Sequence, residues 1–176
     1  MIITLKNIME IAEEKKIAVG SFNTPNLESL QAVIEAAEEL KLPVIIQFAQ
    51  CHEPWIPLGM IGPIMVEAAR KAAVPVCVHL DHGETLDYLK QALEIGFTGI
   101  MYDGSMLSYE ENLENTKETV AMAAKMGASV EAELGKVGGK EDDLEADADT
   151  NTDPKEAQEF VERTGVSSLA IAIGTA

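Results

Sequence analysis

The stretch Val76-Cys77-Val78-His79-Leu80-Asp81-His82-Gly83 reads as a short buried strand that runs straight into an acid, an imidazole and a glycine. A strand that ends in chemically active side chains is what a barrel enzyme places at the mouth of its active site. In extended chain His79 and Asp81 share one face and His82 takes the other. Asp81 and His82 can both reach the mouth only if the chain bends, and Gly83 is expected to permit the bend. A neutral imidazole is a good zinc ligand, and an adjacent carboxylate can move protons. The plainer alternative makes Asp81 a helix cap and leaves His82 on the surface, while His79 packs inside the strand. A second stretch, Val130-Glu131-Ala132-Glu133-Leu134-Gly135, carries two carboxylates at strand spacing. They point to one side, which is costly on a strand covered by helices unless a cation answers them. That cation is either a metal, reached by Glu133 from the strand's C-terminal end, or a lysine such as Lys136.

Three further positions sit where the same chemistry would need them. Gly138-Gly139 reads as a hinge that lets residues 135–143 close over a substrate and exclude water. Glu141 is the best-placed acid on that loop; the alternative is a flexible turn without a catalytic role. Asn23 and Asp103 each follow a strand, on the expected active face. An amide such as Asn23 can donate to a developing oxyanion. A turn for Asn23 and a helix-leading cap for Asp103 are the structural alternatives. His52 adds one more imidazole on that side.

Such groups need a scaffold that gathers strand ends. The sequence pattern gives a helix over 4–14, a strand over 17–22 and a helix over 26–40 with Leu27, Leu30, Ile34 and Ala37 on one face. An unbroken apolar strand follows over 43–48, then a helix over 63–72, a strand over 75–79, a helix over 85–95 and a strand over 99–102. Ser108 and Glu111 form a capping box that opens a helix running to residue 126. A strand over 129–133, a Gly-rich then acidic loop over 135–152, a helix opened by Asp153-Pro154 and a strand over 167–173 complete the series. Strands alternating with helices call for a parallel sheet. No glycine triplet follows the first strand, only Ser21-Phe22-Asn23-Thr24-Pro25, so a barrel is favoured over a doubly wound nucleotide fold. A (β/α)8 TIM barrel typically takes ~250 residues, and about six of its eight units are present. The expectation is α/β, one partial TIM-barrel domain over residues 1–176, with the C-terminal part missing.

Composition narrows the partners. Thirty acids against thirteen bases give a net charge of −17, which argues against nucleic acid and anionic membranes, since both need a basic patch. Cys51 and Cys77 are too few and too far apart for a disulfide framework, and reduced thiols fit a cytoplasmic protein. No signal peptide is evident, and no apolar run approaches the roughly 20 residues of a membrane span.

Taken together, these stretches resemble the class II, zinc-dependent ketose-bisphosphate aldolases, the fructose- and tagatose-bisphosphate aldolases. The resemblance covers essentially the whole chain. It rests on Phe22-Asn23 ahead of residues 26–37, on Pro43-Val44-Ile45-Ile46-Gln47 and on His79-Leu80-Asp81-His82. Met101-Tyr102-Asp103, Glu131-Ala132-Glu133-Leu134-Gly135, Gly138-Gly139 and Glu141-Asp142 complete it. It implies a glycolytic lyase that reversibly cleaves a ketose 1,6-bisphosphate to dihydroxyacetone phosphate and an aldehyde phosphate. It implies that His82 ligates zinc and that Asp81 exchanges a proton with the C4 hydroxyl. Glu133 would be a carboxylate near the metal, and Asp103 would support the site or ligate an alternative metal position. Glu141 would move the proton on the dihydroxyacetone phosphate carbon, and Asn23 would hold the enediolate.

The resemblance also implies a sugar phosphate substrate, a monovalent cation in the full-length protein, and a homodimer or homotetramer. The family's other two zinc histidines and most of its phosphate-binding loops are expected beyond Ala176, so this polypeptide alone is expected to be inactive. Ala49 stands where many relatives carry serine, and Lys140 where some carry an acid, which leaves the subtype open. Two readings compete. One is a related aldolase for another phosphorylated keto sugar. The other is a non-catalytic, barrel-derived interaction protein, which would have no need of Asp81, His82, Glu133 and Glu141.

Overall fold

The computed structural model describes residues 1–135, 139–141, 144–146 and 151–174, the two short inner stretches by backbone alone. The elements run α1 (Leu5–Lys15), β1 (Ser21–Asn23), α2 (Leu27–Leu40), β2 (Val44–Ala49), a 3-10 turn (Gln50–His52) and α3 (Leu58–Lys71). They continue with β3 (Val76–Gly83), α4 (Leu86–Ile95), β4 (Gly99–Tyr102), α5 (Tyr109–Lys125) and β5 (Ser129–Leu134). The hairpin strands β6 (Gly139–Glu141) and β7 (Leu144–Ala146), then α6 (Pro154–Thr164) and β8 (Ser168–Ile171), close the series.

Six strands form one parallel sheet in the order β1-β2-β3-β4-β5-β8, with helices between consecutive strands. This is the arrangement of an incomplete TIM barrel, a half-barrel with β1 and β8 at its two edges. The helices carry the core on the outer side of the sheet. Ile46, Phe48, Val78, Leu80 and Ile100 meet Leu30, Ile61, Met65, Leu89 and Leu113 there. The inner side is polar toward the C-terminal strand ends and apolar at the base. At the base α1 lays Leu5 and Ile8 against Ile45 and Cys77, which plugs the N-terminal mouth. Strand register aligns Gln47 with His79, His79 with Gly99 and Gly99 with Ser129. Glycine at 99 makes room for the imidazole, since a Cβ there would stand 2.6 Å from His79 Nδ1.

Helix caps follow the residue types. Thr4, Asn26, Thr85, Ser108 and Asp153 each accept a backbone N–H in the first turn of the helix that follows. Three expectations need correction. The helix expected over 63–72 begins five residues earlier, at Leu58, whose N–H is accepted by Glu53 Oε2 at 2.8 Å. A side chain five residues back does the capping, so Pro63 lies within the helix instead of opening it. The strand expected over 17–22 pairs only at Ser21–Asn23, because only those residues find partners on β2. The loop over 135–152 is not loop throughout: β6 and β7 pair antiparallel, with Gly139 opposite Ala146. Gly139 is thus a strand residue, whereas Lys136, Gly138, Asp142 and Asp143 lie outside the described residues.

Candidate metal centre and its flanking acid

The bend expected at Gly83 falls one residue earlier. His82 itself adopts the left-handed region, with φ of 45°. Leu80 pairs with Ile100 and Gly83 with Tyr102, so Asp81 and His82 together face the single residue Met101. This is a β-bulge, the device that re-aims a side chain beside a functional site. It costs about 1–2 kcal/mol to hold a non-glycine residue there, although histidine tolerates the region better than most. Glycine at 83 serves close packing instead. A Cβ there would stand 2.7 Å from Leu89 Cδ2 and 2.9 Å from the Met101 carbonyl.

The bulge sends the two side chains to different neighbours at one mouth. His82 Nδ1 lies 3.0 Å from Asp103 Oδ2 and 3.7 Å from Glu133 Oε2. Asp81 turns toward β1, where Asn23 Nδ2 donates to its Oδ2 at 3.0 Å. Neither residue fits the plainer alternative, since Thr85 caps α4 and His82 contacts two strand ends. Asp103 follows β4 and is fixed from behind, its Oδ1 accepting from the Ser105 amide at 3.0 Å and the Ser105 hydroxyl at 2.7 Å. It does not cap α5, a role that Ser108 holds.

The electrostatics follow from this geometry. The hydrogen bond to Asp103 raises the His82 imidazole, burial opposes it, and the charges of Asp81, Asp103 and Glu133 add to the rise, so it is pushed up to about 9. Burial pushes the Asp103 carboxyl up, but the hydrogen bonds from His82 and Ser105 outweigh it and hold Asp103 below the usual carboxylate range. One imidazole nitrogen and two carboxylate oxygens, from three strand ends, lie within 4.8 Å of one another. Such a borderline N/O donor set fits zinc, whose ligands stand at ~2.0–2.2 Å around the ion.

Glu131 behaves differently from Glu133, although the two share a face. It lies one layer deeper, where its Oε2 is 3.1 Å from His79 Nε2 without the alignment of a hydrogen bond. His79 is 2% exposed, in keeping with a packed interior histidine. His52 accepts the Ala49 N–H through Nδ1 at 3.2 Å and packs beside Phe48 and Trp55, so it shapes the turn after β2. Glu141 is described in backbone only, at the end of β6.

Two supports escaped the sequence reading. Asn112 on α5 donates through Nδ2 to the Glu133 carbonyl at 2.8 Å. The Thr152 hydroxyl donates to the Leu134 carbonyl and accepts from the Ala172 amide at 2.8 Å, which ties the end of β5 to the end of β8. A signal for the first was present, because Asn112, Thr116 and Thr119 lie at helical spacing and all three are buried. A polar row on the packed face of a helix has to find acceptors.

The model of the family described as fructose-bisphosphate aldolase class-II matches residues 3–176. A fructose-bisphosphate aldolase of Giardia intestinalis is 41% identical over 173 residues, covering 98% of this chain and 53% of the relative. A probable fructose-bisphosphate aldolase of Bacillus subtilis is 42% identical over 179 residues, covering 99% of this chain and 62% of that protein. Among solved structures, the YdjI aldolase from Escherichia coli K12 superposes with a TM-score of 0.88 at 40% identity, covering 98% of this chain and 62% of that one. The chain thus spans between half and two thirds of the length of these relatives.

Proposed function

The chain belongs to the class II fructose-bisphosphate aldolase family, and we propose that the whole protein is a zinc-dependent aldolase. It would reversibly cleave a ketose 1,6-bisphosphate, of the fructose or tagatose type, to dihydroxyacetone phosphate and an aldehyde phosphate. The observation that carries this reading is the convergence of His82, Asp103 and Glu133 within 4.8 Å, with Asp81 held beside them by Asn23.

His82 and Glu133 would hold the zinc ion, and Asp103 would either orient His82 or ligate an alternative position of the metal. When bound, the ion would act as a Lewis acid on the ketone oxygen and take up the charge left when the C3–C4 bond breaks. Asp81 takes the proton from the C4 hydroxyl as that oxygen closes to the aldehyde and the C3–C4 electron pair stays on C3. The Asn23 amide aims the Asp81 carboxylate, and its second N–H is available to the substrate oxygen beside it. Glu141, carried on the β6–β7 hairpin, would return a proton to C3. Among the described residues, no lysine forms part of the cluster, which accords with metal rather than Schiff-base chemistry. Residues 1–176 alone are inactive on this reading, because a catalytic zinc generally takes three tightly held protein ligands and the cluster supplies one imidazole. A monovalent cation, a homo-oligomeric state and a cytoplasmic, glycolytic setting belong to the same proposal. Among the described residues, no helix is long and apolar enough to cross a membrane.

The test is a cleavage assay on the full-length protein across a panel of ketose phosphates. Activity on a ketose 1,6-bisphosphate, abolished by a chelator and restored by zinc, is the expected result. Cleavage unaffected by chelation, or trapping of the substrate on a lysine by borohydride, contradicts the proposal.

A further inference from the structure

Asn112 lies on α5, outside the cluster, yet it touches both strand ends that supply the carboxylates. Its Nδ2 donates to the main-chain carbonyl of Glu133 at 2.8 Å. Its Oδ1 accepts from the Thr116 hydroxyl one helical turn on, at 3.2 Å; the Glu133 carbonyl can only accept, so it is Nδ2 that faces β5. On the other side it packs against Gly104, the residue after Asp103. A Cβ at Gly104 would stand 2.3 Å from Asn112 Oδ1, 2.6 Å from its Cγ and 2.9 Å from Tyr102 Cε1. The approach is too close for any residue but glycine. Asn112 is 2% exposed, so its amide has no water with which to exchange these partners.

One side chain therefore bridges the carbonyl of one carboxylate residue and the backbone beside the other. We infer that Asn112 is a positioning residue for the metal centre: it sets the spacing between Glu133 and Asp103 at which both can face His82. The inference rests on the metal-binding reading of that cluster, and it adds a residue that touches neither metal nor substrate. Outer supports of this kind commonly alter metal affinity by about ten- to a hundredfold when removed.

Aspartate at 112 keeps the volume but cannot donate to a carbonyl when ionised. N112D and N112A are compared with the wild-type chain and with T119V. Thr119 is buried on the same helix and makes its side-chain hydrogen bond to the Asn115 carbonyl within that helix, so T119V controls for a general weakening of α5. Two readouts are taken from the full-length protein: the zinc Kd followed through the His82 ring resonances, and, without metal, the cross-peaks between the His82 ring and the Glu133 side chain. The expected result is a zinc Kd weakened about ten- to a hundredfold in N112D and N112A, with the metal-free cross-peaks lost, while T119V keeps both. A folded N112D with wild-type zinc affinity and wild-type cross-peaks overturns the inference. So does T119V if it weakens zinc binding as much as N112D does. Should the wild-type full-length protein show no zinc response at His82, the metal reading fails; the metal-free cross-peaks then decide the positioning role by themselves. Should N112D or N112A fail to fold, T116V, which frees the Asn112 amide to turn, is expected to weaken zinc binding in the same direction, and its failure to do so overturns the inference.

Discussion

Replacing Asp103 by asparagine should change how the metal-free protein responds to pH. Asp103 supplies the leading contribution to the rise of His82 from 6.5 to about 9. Each pKa unit corresponds to about 1.4 kcal/mol, so a group moved that far contributes roughly 3 kcal/mol to stability while it is protonated. The folded-state value is raised, so the contribution is fully present below pH 6.5 and is lost as pH rises through 9. Asparagine retains the shape and an acceptor oxygen but removes the charge, and Asp81 and Glu133 remain. In D103N most of the roughly 3 kcal/mol should vanish at pH 6, and the gap from wild type should close above pH 9. The assay is urea unfolding in the presence of a chelator at pH 6, 8 and 10, alongside a direct NMR titration of the His82 ring. A wild-type His82 that titrates near 6.5, or a stability gap independent of pH, would refute the reasoning.

Zinc must displace the proton from His82, so affinity at this site should rise about tenfold per pH unit until pH nears 9; a flat profile between pH 6 and 8 would exclude His82 as a ligand. Gly99→Ala, which drives a Cβ to 2.6 Å from His79 Nδ1, should cost about 1–3 kcal/mol in urea unfolding, with a smaller cost in a His79→Ala background; equal costs in the two would break the link. Burial pushes the Cys77 thiol up to about 12, so a thiol reagent at pH 8 should modify no more than Cys51 in the native chain, and rapid reaction of both cysteines would contradict that packing. In the full-length protein, Asp81→Asn should lower kcat by about a hundredfold or more while leaving zinc content unchanged; a parallel loss of zinc would make Asp81 a ligand instead.

Much of the scaffold was legible because its signals are local. Apolar runs at β2 and β3, the Ser108–Glu111 box and the Asp153–Pro154 start each name their element without knowledge of the rest. The site was legible in part for the same reason: residues at or just past the C-terminal ends of parallel strands share one end of the sheet, so Asn23, Asp81, His82, Asp103 and Glu133 had to be neighbours. What stayed hidden depends on contacts across the fold. The start of α3 is set by Glu53, which no helix periodicity reveals. The bend lies at His82 and not Gly83, and residue 83 is glycine for another reason, because Leu89 and the Met101 carbonyl claim the space where a side chain would stand. Glu131 and Glu133 look alike as a pair two residues apart, yet the layered interior sends one to His79 and the other to His82. Asn112 shares a polar helical row with Thr116 and Thr119, but its acceptor is fixed only once β5 is placed beside it.

Anomalous diffraction at the zinc edge, from zinc-soaked crystals of the full-length protein, addresses the metal centre directly. One strong peak within ligand distance of His82 and Glu133, at the ends of β3 and β5, is the result this account expects. Zinc found instead at a Cys51 thiolate or on scattered surface carboxylates, with density absent between those two strand ends, would contradict it.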